Sequence, residues 1–177
     1  MTRNTEAEQQ TPLDSIAAGR DLWEHKYGSA GAPAMEAVSN LVRVHEIIVN
    51  FMDKYLADCD MTFGEYDVLA VIGDLGRGGM PLGKIGQKAR QFFNHQTSIT
   101  NVVSRLADHG LVRMRQDSHD GRVTLVALTP TGVRRLRKAN QMMGRLNFGL
   151  DGLTQAQQRQ LTALLVEVRV AHGDARR

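Results

Sequence analysis

The periodicity of this 177-residue chain changes abruptly at Gly110, and that change restricts the folds open to it. Before Gly110, apolar residues recur every three or four positions, the spacing of amphipathic helices. After it, Leu111-Val-Arg-Met-Arg115 and Arg122-Val-Thr-Leu-Val-Ala-Leu128 are rich in β-branched residues and flank the turn-rich Gln-Asp-Ser-His-Asp-Gly. Two such runs around a turn predict a β-hairpin. At Thr129-Pro130 the helical spacing returns, with Thr as N-cap and Pro at the first helical position.

Upstream of the hairpin, Thr62-Phe-Gly-Glu65 is a capping box, in which hydroxyl and carboxylate satisfy backbone donors at a helix start. The helix it opens carries Tyr66, Leu69, Ile72 and Leu75, and the glycines at 76, 78 and 79 end it. Pro81 is expected to start a short helix with Leu82, Ile85 and Ala89 on one side, and residues 89–94 read as a longer turn. A third helix, about His95 to His109, buries Ile99, Val102, Val103 and Leu106 and stops at Gly110. Its other face shows Gln96, Thr97, Thr100, Asn101 and Arg105, polar yet poor in acids.

Longer helical patterns flank this block. A helix over about 35–56 carries two apolar stripes, which suggests burial on more than one side, as at a subunit interface. A helix from Pro130 to about 148 follows the hairpin, and a second capping box, Thr154-Gln-Ala-Gln157, opens the last one, to about 172. Residues 1–12 read as a disordered tail, and residues 13–30 as an additional short helix, bearing Ile16, Trp23 and Tyr27, with a linker.

The expected architecture is mostly α with a small β-hairpin wing: a winged helix-turn-helix domain over 61–129, flanked by helices at 34–57 and 130–172. Such a domain suits double-stranded DNA. A helix fits the major groove, where base edges present distinguishable donors and acceptors, and the N-terminal half of that helix reaches them. Candidate contacts are Asn94, His95, Gln96, Thr97, Ser98, Thr100, Asn101 and Arg105. At the hairpin tip Arg122 can enter a narrow minor groove, with Arg113 and Arg115 on the rising strand. Charge agrees with this assignment. From Arg77 to Leu150 there are 13 Lys and Arg against three Asp, a net +10 within a chain of net +3. A basic block of this kind matches a polyanion, whose counterions are released on binding. The run Arg134–Lys138 either approaches phosphates or is solvated.

The stretch from Met61 to Gly132 resembles the MarR family of regulators. MTFGEYDVLAVI, SITNVVSRLADHGLV and DGRVTLVALTPTG carry the likeness, with Asp120, Arg122, Val126, Leu128, Thr129 and Gly132 at the family's hairpin spacing. The resemblance implies an obligate homodimer with dimerisation helices at 34–57 and 130–172, a wing Arg122 in the minor groove, and Asp120 bracing the wing. It also implies an effector pocket between the dimerisation helices and the DNA-binding lobe. Trp23 and Asp67 match a helix Trp and an Asp near the effector of urate-responsive members, although Val102 stands where those carry an arginine. His45, on an apolar stripe, reads as a core histidine or as a polar anchor in the pocket. Between Ile85 and Thr100 this chain has about three residues more than the family pattern, and its wing tip, Asp-Gly-Arg, lacks a second basic residue.

Other classes fit poorly. The single cysteine, Cys59, rules out a disulfide framework and cysteine-rich zinc sites, and its neighbours Asp58 and Asp60 disfavour a reactive thiolate. The six histidines are scattered, so neither a metal site nor a cofactor is expected. No phosphate-cradling glycine motif or nucleophile elbow is present, which argues against an enzyme. Without an apolar run of membrane length or a secretory leader pattern, a cytoplasmic location with no membrane partner is expected. The function expected is a sequence-specific repressor that acts as a homodimer on a pseudo-palindromic operator and is released by a small-molecule effector. The alternative is an architectural protein that coats DNA without sequence preference.

Overall fold

The computed structural model describes residues 14–76, 78–93 and 98–175, with backbone alone for 90–93. The expected tail at 1–12 lies outside them. The chain divides into two compact units, at Ile47/Ile48.

The first unit holds helix α1 (Ser15–Tyr27), a 3₁₀ turn (Ser29–Gly31) and the start of α2 (Ala32–Leu56). Asp14 caps α1: its Oδ1 accepts from the amides of Ile16 and Ala17 at 3.0 and 3.2 Å. Gly28 ends the helix at φ 88°, where a Cβ would be strained. Trp23 packs on Tyr27 with ring centroids 4.9 Å apart, and a Cβ at Gly31 would stand 3.4 Å from its Nε1. Helix α2 begins at Ala32, with Pro33 in its first turn. Proline is tolerated there, where a helix amide has no partner to lose. His45 is exposed, so it is not a core residue of the chain.

The second unit is built on α3 (Phe63–Leu75). The capping box forms as expected, with Glu65 N–H to Thr62 Oγ1 at 3.3 Å and Thr62 N–H to Glu65 Oε2 at 2.9 Å. Val68, Leu69, Val71 and Ile72 of α3 are buried. They belong to one core with Ile85 and Ala89 of α4 (Leu82–Phe93), Val102, Val103 and Leu106 of α5 (Ile99–Asp108), and Leu136, Ala139 and Met143 of α6 (Pro130–Arg145). Helix α7 (Gln155–Ala171) follows a 3₁₀ turn at Asn147–Gly149 and opens with the second capping box.

Three expectations on boundaries need correction. The sheet has three strands rather than two: β1 (Met80–Pro81) pairs antiparallel with β3 (Thr124–Leu128), which pairs with β2 (Val112–Gln116). Pro81 therefore lies on an edge strand, where its missing N–H costs no ladder bond. Residues 89–93 continue α4 rather than forming a turn, since no glycine or proline interrupts them. Finally, α6 stops at Arg145, where Asn147, Phe148 and Gly149 all take positive φ. Among the described residues no helix is long and apolar enough to cross a membrane.

The joint between α5, the sheet and α6 explains two residues of the hairpin pattern. Gly110, at φ 67°, closes α5 in a Schellman turn: Leu111 N–H donates to Leu106 O and Gly110 N–H to Ala107 O, both at 2.8 Å. Thr129 N–H then donates to Leu111 O at 3.0 Å, and Thr129 Oγ1 caps α6 by accepting from Gly132 N–H at 3.0 Å. A Cβ on Gly132 would fall 2.0 Å from the Leu111 carbonyl oxygen, so only glycine fits. Gly132→Ala is expected to cost ~1–3 kcal/mol through overpacking. Gly83→Ala, in open space on α4, should instead gain up to ~1 kcal/mol from helix propensity. Urea unfolding midpoints check both; a Gly132→Ala variant more stable than wild type would refute the close approach.

Candidate nucleic-acid interface

Helices α3, α4 and α5 with the β2–β3 hairpin form the winged helix-turn-helix expected from the sequence. Helix α5 is strongly two-sided. Val102, Val103 and Leu106 are buried, whereas Ser98, Thr100, Asn101, Ser104 and Arg105 are exposed. Ser104 belongs to this polar face by its helical position although it was not singled out from sequence. Asn94, His95, Gln96 and Thr97 lie outside the described residues.

Arg105 is exposed but engaged. Its Nε donates to Glu65 Oε1 at 2.9 Å, across from α5 to the first turn of α3. Nothing local signals this pair, which joins positions 40 residues apart.

The wing is held by its own acidic residues. Asp117 Oδ1 accepts from the amides of His119 and Asp120 at 2.7 and 3.3 Å, and Asp120 Oδ1 accepts from Arg122 N–H at 3.0 Å. Two backbone bonds close the loop, Asp117 N–H to Val123 O and Val123 N–H to Asp120 O. Short side-chain acceptors of this type stabilise tight turns by replacing a backbone partner. Arg122 therefore sits in a braced turn just before β3, with its side chain exposed. Arg113 and Arg115, two apart on β2, project from one face of the strand and are exposed as well. Asp117 was missed from sequence, though an Asp two residues before an amide in a turn is its usual mark.

The basic run after the wing divides in two. Arg135 donates to the Cys59 carbonyl and pairs with Asp60 Oδ2 at 2.8 Å, and Lys138 donates to Asp58 O at 2.9 Å. These two brace the turn between α2 and α3, a use that neither expectation for the run included. Arg134 and Arg137 are exposed. Cys59 is a buried free thiol.

A cavity of about 350 Å³ lies in the second unit. Ile48, Met52, Phe63 and Phe148 supply apolar walls, and Tyr66, Asp67, Asp74 and Asn140 supply polar groups. Tyr66 donates its hydroxyl to Asn140 Oδ1 at 2.8 Å. Burial, with smaller contributions from the Asp67 and Asp74 carboxylates, holds the Tyr66 phenol above its ordinary value of 10.0. The phenol is thus a neutral donor across the physiological range. Asp67, expected in an effector pocket, lines this cavity and is fully buried; Trp23 and His45 belong to the first unit. No group of three metal-ligating side chains is present among the described residues.

Comparisons with known proteins place these features. No family model matches the chain. It is 27% identical over 126 residues to the HTH-type transcriptional repressor IacR of Pseudomonas putida, across 71% of this chain and 72% of that protein. Among solved structures it is similar to Sco5413, a MarR family transcriptional regulator from Streptomyces coelicolor, at 30% identity and a TM-score of 0.70. That match covers 82% of this chain and 99% of the other. It is also similar to the PcaV transcriptional regulator of Streptomyces coelicolor, solved with its natural ligand, at 26% identity and a TM-score of 0.57 over 77% of this chain and 92% of that one.

The raised Tyr66 pKa has a consequence for stability. The folded state keeps the phenol proton where the unfolded chain loses it, so this stabilisation is complete below pH ~10 and falls as pH rises through the folded pKa. Alkaline unfolding curves of wild type and Tyr66→Phe should therefore diverge above pH ~10, with wild type losing stability faster. Parallel curves would show that the phenol is not held neutral.

Proposed function

The chain belongs to the MarR family of transcriptional regulators, and we propose that it is a sequence-specific repressor, working as a homodimer on a pseudo-palindromic operator and released by a small-molecule effector. One observation carries the DNA reading: the exposed polar face of α5 stands beside a braced, basic wing. Ser98, Thr100 and Asn101 present hydroxyl and amide groups of the kind that pair with base edges, Asn with adenine above all. Asn94, His95, Gln96 and Thr97 precede them in the chain and extend the same reading. Arg122 enters the minor groove from a turn stiffened by Asp120, while Arg113 and Arg115 meet phosphates. The relatives are regulators rather than enzymes, and IacR is a repressor.

Dimerisation rests on apolar surface that the single chain leaves uncovered. Helix α7 buries none of its residues and exposes Leu164 and Val168. Among the described residues, eight of the fourteen exposed large hydrophobic ones fall between Leu22 and Ile47, on α1 and α2. Apolar surface on this scale marks an interaction site. Residues 34–57 and 130–172 thus serve as dimerisation segments, with 61–129 reading DNA. Twofold symmetry gives each chain one half-site, with centres about 10 bp apart.

The cavity beside α3 is the effector site in this reading, with Asp67 among its polar groups; Trp23 and His45 remain candidate effector residues. An effector that favours a dimer with wrongly spaced reading helices shifts the population from the operator-binding form. The ligand-bound PcaV structure supports small-molecule binding by similarity. The architectural alternative lacks a use for the amide- and hydroxyl-bearing face of α5.

The deciding experiment selects duplexes from a random pool with the purified protein and compares the best with a scrambled duplex by fluorescence anisotropy at fixed salt. A ratio of ~10³ or more is expected for a specific regulator, and affinities within a few-fold of each other would make it an architectural protein. Arg122→Ala should weaken operator binding by ~1–3 kcal/mol. Sedimentation should give the same mass for that variant as for wild type, twice 19.6 kDa. Unchanged affinity would remove the wing from the interface, and a 19.6 kDa species would remove the dimer.

A further inference from the structure

Glu65 is a carboxylate only 5% exposed, and each of its oxygens has a separate task. Oε2 completes the cap of α3, within reach of Thr62 N–H at 2.9 Å and the Thr62 hydroxyl at 3.2 Å. Oε1 accepts from Arg105 Nε at 2.9 Å. The cap alone does not call for a charge. In the second capping box of the same chain, Gln157 Oε1 makes the equivalent contacts to Thr154 N–H and the Thr154 hydroxyl at 2.9 and 2.8 Å with a neutral amide. A buried charge is costly unless paired, so the carboxylate at 65 is accounted for by what Oε1 holds.

We infer that Arg105 is a positioning residue of the recognition helix and not a DNA contact: Glu65 holds its guanidinium against α3 and so fixes the rotation of α5 about its own axis. This rests on α5 being the DNA-reading helix. Val102, Val103 and Leu106 seat α5 by apolar burial, which has no preferred direction. A charge-assisted hydrogen bond does have one. Asn101 lies four residues before Arg105, one turn away on the same face, so the rotation set at Arg105 decides where the Asn101 amide points. With its charge spent on Glu65, Arg105 adds nothing to the phosphate count.

The test compares wild type, Glu65→Gln, Arg105→Gln and the double variant on the selected operator and a scrambled duplex across a salt series. Each single variant should lower the operator-to-scrambled affinity ratio about tenfold. The salt slope and the scrambled-duplex affinity should stay unchanged, and the double variant should fall no further than the weaker single. Glu65→Gln keeps the cap, as Gln157 shows, so it decides the matter if Arg105→Gln fails to fold. A lower salt slope for Arg105→Gln, with Glu65→Gln unchanged or tighter, would overturn the inference and make Arg105 a phosphate contact. No effect from any variant would overturn it too. The Arg105 Nε–H resonance, slow to exchange in wild type and fast in Glu65→Gln, reports the bridge without DNA. If wild type bound both duplexes equally, that resonance would separate failure of the DNA reading from absence of the bridge.

Discussion

The Leu111 carbonyl is the point at which the reading elements meet. It accepts the Thr129 amide at 3.0 Å, lies within reach of the Thr129 hydroxyl at 3.2 Å, and leaves α6 room for nothing larger than glycine at position 132. The amide of the same residue closes α5. The two backbone groups of one residue therefore fix the exit of α5, the base of the wing and the entry of α6. Polar contacts at this depth tolerate little displacement, because a buried acceptor that loses its donor is left without the solvent it gave up. The wing and α5 inherit their mutual geometry from this joint.

What could be read in the sequence follows from the range of the interactions involved. Caps and turns are local: Thr62 with Glu65, Gly110 after α5, and Thr129 with Gly132 each lie within four residues, and all were legible. Strand β1 was not, since two residues give no alternation to detect and the proline suggested a helix start. The extension of α4 was missed because a turn was invoked to absorb surplus residues that a helix absorbs equally well. The polar contacts least visible in one sequence are the distant ones. Arg105 meets Glu65 across 40 positions and Arg135 meets Asp60 across 75. Of the candidate site, the polar face of α5 and the wing arginines were legible, while the cavity was reached only at Asp67.

Those distant pairs change what the basic composition means. Thirteen cations between Arg77 and Leu150 suggest a broad phosphate grip when counted along the chain. In the fold, Arg135 and Lys138 are committed to the turn before α3, and Arg105 to α3 itself. Counterion release depends on cations that actually meet phosphates. In the proposed reading, the exposed Arg113, Arg115 and Arg122, on and beside the hairpin, are the set that meets DNA.

The cavity has one wall that belongs to the reading apparatus and another held in an unfavourable backbone conformation. On α3, Tyr66 directly follows Glu65, so the helix turn that lines the cavity is also the one that grips Arg105. Phe148 also lines it, at φ 51°, between Asn147 at 47° and Gly149 at 81°. A bulky residue in that region costs on the order of 1–3 kcal/mol and persists only where its surroundings over-determine it. The surroundings here are visible: Leu146 O and Asn147 O accept backbone bonds at 2.9 Å, and a Cβ at 149 would press on Ile48 and Phe51 at 3.1 Å. A glycine at 149 thus lets the turn after α6 lie close against Ile48 and Phe51 of α2, with Phe148 lining the cavity. The strained backbone at Phe148 and the α3 residues that follow Glu65 thus line the same 350 Å³.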